Sequence, residues 1–372
     1  MRIELDRIGT AASFEKILKE ICADPAVKGL LVLACDNNNF VPTNIDHVLK
    51  NCPLPLSGGI FPGIIYEKEK LDIGTIFIGL SEPPSLAIIS GLSDPETNLE
   101  KNIEQSLENK HITDTILIFA DGYSSRISEF INAMFINFGL ENNIIGGGAG
   151  SFGNEKKHCL LSNQGMLEDC AILTLLNTKS TTNISHGWNP VKGPFKVTDA
   201  HHNVIKSLDW MPAFNIYKEA IRSHSGIFLS KENFAEISSS YPFGVAQVCC
   251  DHIVRGPFKM DDEGGLVCIG EISIGSFIDI MHGNSKSLID SSRSSLNLDR
   301  IIGNSENSLA LIIDCVSRAL FLKDEFEQEL KAMHLPGLPM VGILSIGEIA
   351  TLKNQSLEFH NKTLVLSLLE EL

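Results

Sequence analysis

Thr115-Ile116-Leu117-Ile118-Phe119-Ala120 is an unbroken apolar run. After it come an amphipathic stretch at 125–138, then Ile144-Ile145-Gly146-Gly147-Gly148, then a second apolar run at 171–176. Apolar runs without alternation read as strands buried on both faces. Ile127, Phe130, Ile131, Met134 and Phe138 fall at helical spacing between them. The order is β-α-β-β, and it occurs twice more. Residues 29–35, a helix at 43–49, 56–65 with Gly58-Gly59, and 73–80 repeat it. So do 309–315, a helix at 324–333, 340–349 and 363–369. Leu31 to Gly58, Leu117 to Gly146 and Leu311 to Gly342 are similar offsets. The agreement is one of pattern, not of residue identity.

Around these units the spacing predicts helices over 12–22, 95–107, 212–221 and 285–298, and strands over 56–66, 85–92 and 181–188. Pro is placed in the first turn of the helices at 95 and 212, and Thr43 at the cap of the one it precedes. The texture turns strand-rich from Thr181. The expected fold is mixed α/β (α+β): two tightly packed halves, 1–205 and 206–372, with repeated β-α-β-β units and mixed sheets.

The chain has 372 residues, 43% of them hydrophobic, and a net charge of −16. That length supports a large core. The negative balance argues against nucleic acid or an anionic membrane as partner, since both select a basic face. No apolar run approaches the roughly 20 residues of a membrane span, and Met1-Arg2-Ile3-Glu4-Leu5-Asp6 lacks a signal core. A cytoplasmic location is expected. Nine cysteines sit mostly inside apolar runs without paired spacing, as reduced core thiols do. Cys249-Cys250-Asp251-His252 resembles a metal cluster, but zinc needs four convergent ligands, so core cysteines beside a turn are preferred.

The string Gly148-Ala149-Gly150-Ser151-Phe152-Gly153 has dinucleotide-loop spacing, but no apolar helix opens after it, as phosphate binding there requires. Among eleven histidines, His186 and His360 stand at strand ends, while His201-His202 reads as solvent-facing. Arg255, Arg318 and Glu348 interrupt apolar runs, where an unpaired charge is costly. One reading is an ion pair between Arg318 and Glu348. The other is a polar floor for a ligand carboxylate.

The segment Ser185-His186-Gly187-Trp188-Asn189-Pro190-Val191, with Val197-Thr198 and Pro212-Ala213-Phe214-Asn215-Ile216-Tyr217, resembles the FIST family (F-box and intracellular signal transduction). Gly146-Gly147-Gly148-Ala149-Gly150 is similar to its N-terminal domain. Val254-Arg255-Gly256-Pro257, Cys315-Val316-Ser317-Arg318, Gly347-Glu348-Ile349 and Phe359-His360-Asn361-Lys362-Thr363 echo its C-terminal domain. Met281-His282 and Phe61-Pro62 depart from the pattern. No F-box region is present, so the resemblance is to the bacterial stand-alone sensor.

The resemblance implies a small-ligand sensor signalling to a histidine kinase or a cyclic-di-GMP enzyme, and not an enzyme itself. The candidate ligand-binding residues are His186, Trp188, Arg255, Arg318, Glu348, His360 and Asn361. One branch of the family implies haem and nitric-oxide sensing. Haem would take His186, or else His360, as axial iron ligand, and Arg255 and Arg318 for its propionates. The alternatives are an enzyme with His186 or His360 as general acid/base beside Glu348, and a ligand-free interaction scaffold.

Overall fold

The computed structural model describes residues 1–108, 110, 113–151, 153, 157–247, 251–296, 307–351 and 356–372. Cys249-Cys250, singled out above, lies outside them. The fold is mixed α/β, built from three six-stranded mixed sheets of one design and a fourth sheet inserted into the chain.

The β-α-β-β order is the centre of a larger unit. Unit one runs through strand Arg2–Asp6, helix Ala11–Cys22, strand Gly29–Cys35, helix Pro42–Lys50, strand Leu56–Phe61, the hairpin Gly63–Tyr66/Glu69–Leu71 and strand Thr75–Leu80. Unit two repeats this with Ser85–Ser90, helix Leu99–Leu107, Thr115–Asp121, helix Ile127–Phe138, Asn143–Ala149, Leu160–Ser162/Gly165–Leu167 and Cys170–Leu176. Unit three has Ser180–Ser185, helix Ser285–Ser294, Leu309–Cys315, helices Val316–Leu322 and Phe326–Met333, Met340–Ser345, Glu348–Thr351/Leu357–His360 and Leu364–Leu369.

In each unit the central strand pairs parallel with the glycine-bearing strand and antiparallel with the last one. Gly58, Gly146 and Gly342 occupy one position in this scheme, opposite Val32, Ile118 and Ile312. A Cβ there would lie 2.1, 2.0 and 2.2 Å from the carbonyl oxygens of those three residues. Only glycine lets the two strands approach that closely.

The hairpins are exchanged in a cycle. Unit one's hairpin pairs with Met340–Ser345 of unit three, unit two's with Leu56–Phe61 of unit one, and unit three's with Asn143–Ala149 of unit two. Leu31, Leu33, Leu117, Phe119, Leu311 and Ile313, at matching places on the three central strands, therefore share one core. The opposite face of each strand packs under helices, as the period of two requires.

Unit three is interrupted after its first strand. Residues 189–282 form the fourth sheet, which includes Asn189–His201, Val204–Leu208, Ile253–Arg255 and Phe277–His282. Helices Ala213–Ser225 and Phe234–Ser238 pack on it around Tyr217 and Phe243.

Several local expectations are corrected. Residues 56–66 and 340–349 are each two strands, broken at Pro62 and at Ile346-Gly347, and the pieces join different sheets. The helix expected from 95 starts at Leu99, where the Asn98 side chain accepts from the Lys101 N–H. The helix expected from 43 starts at Pro42 after Val41. Pro212 precedes its helix, which runs on to Ser225. Among the described residues no helix is long and apolar enough to cross a membrane.

Candidate ligand-binding site

Strand Ser180–Ser185 ends where the chain leaves unit three for the inserted domain. Gly187 turns it there with φ +75°, and a Cβ would lie 2.6 Å from the Ser287 carbonyl oxygen. The glycine lets the backbone press against the first turn of helix Ser285–Ser294. On either side of it His186 and Trp188 turn into the seam between unit three and the inserted domain.

The Nδ1 of His186 accepts the Trp188 backbone N–H at 3.0 Å. Burial pushes its pKa down to about 4, so the ring is neutral near pH 7. A neutral imidazole whose Nδ1 accepts must carry its proton on Nε2. That Nε2–H is buried and has no partner among the described residues.

The His186 carbonyl accepts from Arg318 Nη1 at 2.6 Å. Arg318 lies on helix Val316–Leu322, fully buried, with Nε 3.0 Å from Asp314 Oδ1. It also pairs with Glu329 and donates to Ser292 Oγ. Burial opposes the charge on Arg318, but Glu329 and Asp314 outweigh it and raise its pKa. Burial, reinforced by Glu329, pushes Asp314 well up. The expected Arg318–Glu348 pair is thus replaced by a triad. Asp314 and Arg318 stand four residues apart, spacing that the intervening helix turn turns into contact.

Glu348 lies in unit three's hairpin, directly opposite His360. It accepts from Ser345 Oγ at 2.6 Å and from the Thr363 N–H at 3.3 Å. Burial raises it to about 8. Burial first, then Arg255, lowers His360 to about 3, while the Ala350 carbonyl holds its ring. Its Nε2 and the Asn361 Oδ1 are buried without partners among the described residues. Arg255 gives its guanidinium to the carbonyls of Glu271, Val254 and Phe359.

Lys362, which sequence reasoning passed over, is buried with φ +51°. Its Nζ donates to the Ser239 carbonyl at 3.0 Å and lies 5.4 Å from the Trp188 ring centroid. The Trp188 indole N–H donates to the Lys362 carbonyl at 2.9 Å. Burial lowers the ammonium to about 8.

The candidate residues are linked through Arg318 on the His186 carbonyl, Arg255 on the Phe359 carbonyl and Glu348 opposite His360, but only His186 and Trp188 line the cavity. The cavity holds about 520 Å³ and is walled by Asn183, Ser185, Asp251, Asp290 and serines 287, 291, 294 and 295. The serine spacing along helix Ser285–Ser294 was the available sign of that wall. His201 and His202 are exposed, as expected.

Haem does not fit these residues. The cavity wall is hydroxyl, amide and carboxylate, whereas haem needs an apolar slot. Arg255 and Arg318 are spent on carbonyls and carboxylates and do not line it. His186 has given its free lone pair to Trp188, and the nitrogen left over carries a proton. In this arrangement His186 presents no free lone pair to a metal. Among the described residues no group of three His, Cys, Asp or Glu side chains could hold a metal ion.

The scaffold is thus a mixed α/β fold with a polar cavity beside a buried imidazole. The FIST N domain matches residues 29–211 and the FIST C domain matches residues 213–351. The chain belongs to the FIST family, whose domains are associated with signal transduction and small-ligand sensing. No curated protein matches it.

Proposed function

We propose that this chain is a cytoplasmic sensor whose small polar ligand sits in the seam cavity between unit three and the inserted domain. The observation that carries the reading is a polar cavity of about 520 Å³ lined by His186, whose buried Nε2–H meets no acceptor among the described residues. An unmet buried donor is costly, and a ligand carboxylate or carbonyl would satisfy it once the ring turns toward the cavity. Serine hydroxyls and the Asp251 and Asp290 carboxylates suit donor groups on the same ligand. An amino acid or hydroxy acid has both.

The cavity wall comes from both bodies: His186 and helix Ser285–Ser294 from unit three, Asp251 from the inserted domain. Ligand bound there would fix one body against the other. A histidine kinase or cyclic-di-GMP enzyme docked on either body would read that change.

The test is a thermal-shift screen with amino acids, hydroxy acids and hemin. A ligand at 100 times its dissociation constant adds about 2.7 kcal/mol. An amino or hydroxy acid should shift the midpoint without being turned over, and His186→Phe should abolish the shift. Turnover of the ligand would support the enzyme reading. A sharp Soret band with hemin, lost in His186→Phe, would overturn the polar-ligand reading. No shift with any member would leave an interaction scaffold.

A further inference from the structure

Seven cysteines fall among the described residues, all as free thiols, and they divide into two kinds. Cys35, Cys159, Cys170, Cys268 and Cys315 are buried, and burial pushes every one of these thiols up, Cys35, Cys170, Cys268 and Cys315 to about 12. Such thiols are inert. Cys22 and Cys52 differ in each respect. Cys22 is the last residue of helix Ala11–Cys22, and Cys52 follows helix Pro42–Lys50. Both are half-buried, and their sulfurs lie 3.8 Å apart. Both line a cavity of about 190 Å³ on unit one, beside Lys19, His47 and Asn51.

The contact makes the two sulfurs unequal. Hydrogen bonding from the Cys22 thiol holds Cys52 down to about 7 and pushes Cys22 far up. The thiolate is the attacking species in thiol–disulfide exchange. One sulfur is thus set to attack, and the other stands next to it to resolve.

We propose that Cys22 and Cys52 form a dithiol site that reacts with small disulfides of the glutathione type and closes into an intramolecular disulfide. The Cys52 thiolate attacks one sulfur of the oxidant, forming a mixed disulfide and expelling one thiolate. Cys22 loses its proton to that thiolate and attacks the Cys52 sulfur, expelling the second thiolate, which takes up a proton from solvent. Counting the proton that Cys52 gives to solvent on ionising, the dithiol loses two electrons and two protons overall, and the oxidant leaves as two thiols. The sulfurs must close from 3.8 Å to about 2.05 Å. One end of that movement is a helix terminus and the other an irregular segment, so neither requires a core strand to move. The cavity beside them gives the oxidant room to enter.

The experiment exposes the full chain to glutathione disulfide and reads intact mass and thiol-mapped peptides. The wild type should lose the mass of two hydrogens, retain no glutathione, and yield a Cys22–Cys52 cross-linked peptide. Cys22→Ser should stop with one glutathione on Cys52. Cys52→Ser should react roughly five-fold more slowly. Oxidation at Cys249 or Cys250 with Cys22 and Cys52 still open to alkylation overturns the proposal, and so does an equal rate in the two variants. The wild-type mapping decides the matter even if a variant folds poorly.

Discussion

Units one and two place Ile64 opposite Leu71 and Leu160 opposite Leu167 across their hairpins; at the same place unit three sets Glu348 opposite His360. The match is fixed by register, since Ile64 pairs with Ile343, Leu160 with Gly59 and Glu348 with Gly147, one position of the glycine-bearing strands in all three units. The central strands differ in the same way. Ala34 and Ala120 correspond to Asp314, and Phe61 and Ala149 correspond to Ser345. Two units of this chain build the sheet with apolar residues where the third buries Glu348, His360, Asp314 and Ser345. The scaffold therefore does not require those groups. Burying them is unfavourable by several kcal/mol unless each is fully paired, and His186 Nε2, His360 Nε2 and Asn361 Oδ1 have no partner among the described residues. On the proposed function, the extra polarity serves the seam with the inserted domain, which units one and two lack.

The largest effect should come from breaking the triad. Arg318→Met leaves Asp314 and Glu329 buried without a cation, and urea unfolding should show a loss of about 3–5 kcal/mol. A loss under about 1 kcal/mol would mean that water reaches these groups and that the seam is not the dry contact described.

The next effect is pH-dependent. His186 and His360 are held near 4 and 3 in the folded chain, against about 6.5 when unfolded. Each takes up a proton on unfolding, so its contribution to stability is present above pH 6.5 and is lost as pH falls toward the folded value. Glu348, raised to about 8, acts oppositely: its contribution is present below about 4.5 and is lost as pH rises through 8. Between about pH 6.5 and 4.5 the two protons that the histidines bind on unfolding stand against those released by Glu348 and by Asp314, which burial also raises. His360→Asn should lower the slope of the stability–pH profile in that window by about 1.4 kcal/mol per pH unit relative to wild type. Parallel profiles for the two chains would show that His360 is charged or solvated in the fold.

Much of the frame could be read from the residues. The glycines opposite Val32, Ile118 and Ile312 betray themselves by their offset from an apolar run, because one close strand approach needs the same residue type each time. The hairpin exchange could not be read. Gly63–Tyr66 and Glu348–Thr351 continue apolar runs with a break of one or two residues, and pattern alone does not say that such a piece crosses to another unit. The insertion also hides unit three's first strand from the rest of it. At the site, the residues that convene were legible because charge and imidazole stood inside apolar runs. Their partners were not. Arg318 was set against Glu348 because the short helix Val316–Leu322 that carries it to Asp314 and Glu329 was missed. The His186 tautomer depends on a single backbone N–H, that of Trp188, which no sequence pattern encodes.

The most direct measurement gives unit three the residues of its neighbours. In Glu348→Ile/His360→Leu the pair takes the form that units one and two already use. If the polar pair serves the seam and not the scaffold, urea unfolding will show stability unchanged or raised by about 1–4 kcal/mol, as when buried polar pairs are replaced by apolar residues of similar volume. A double variant destabilised by several kcal/mol would show that Glu348 and His360 hold the fold together, and would contradict the account.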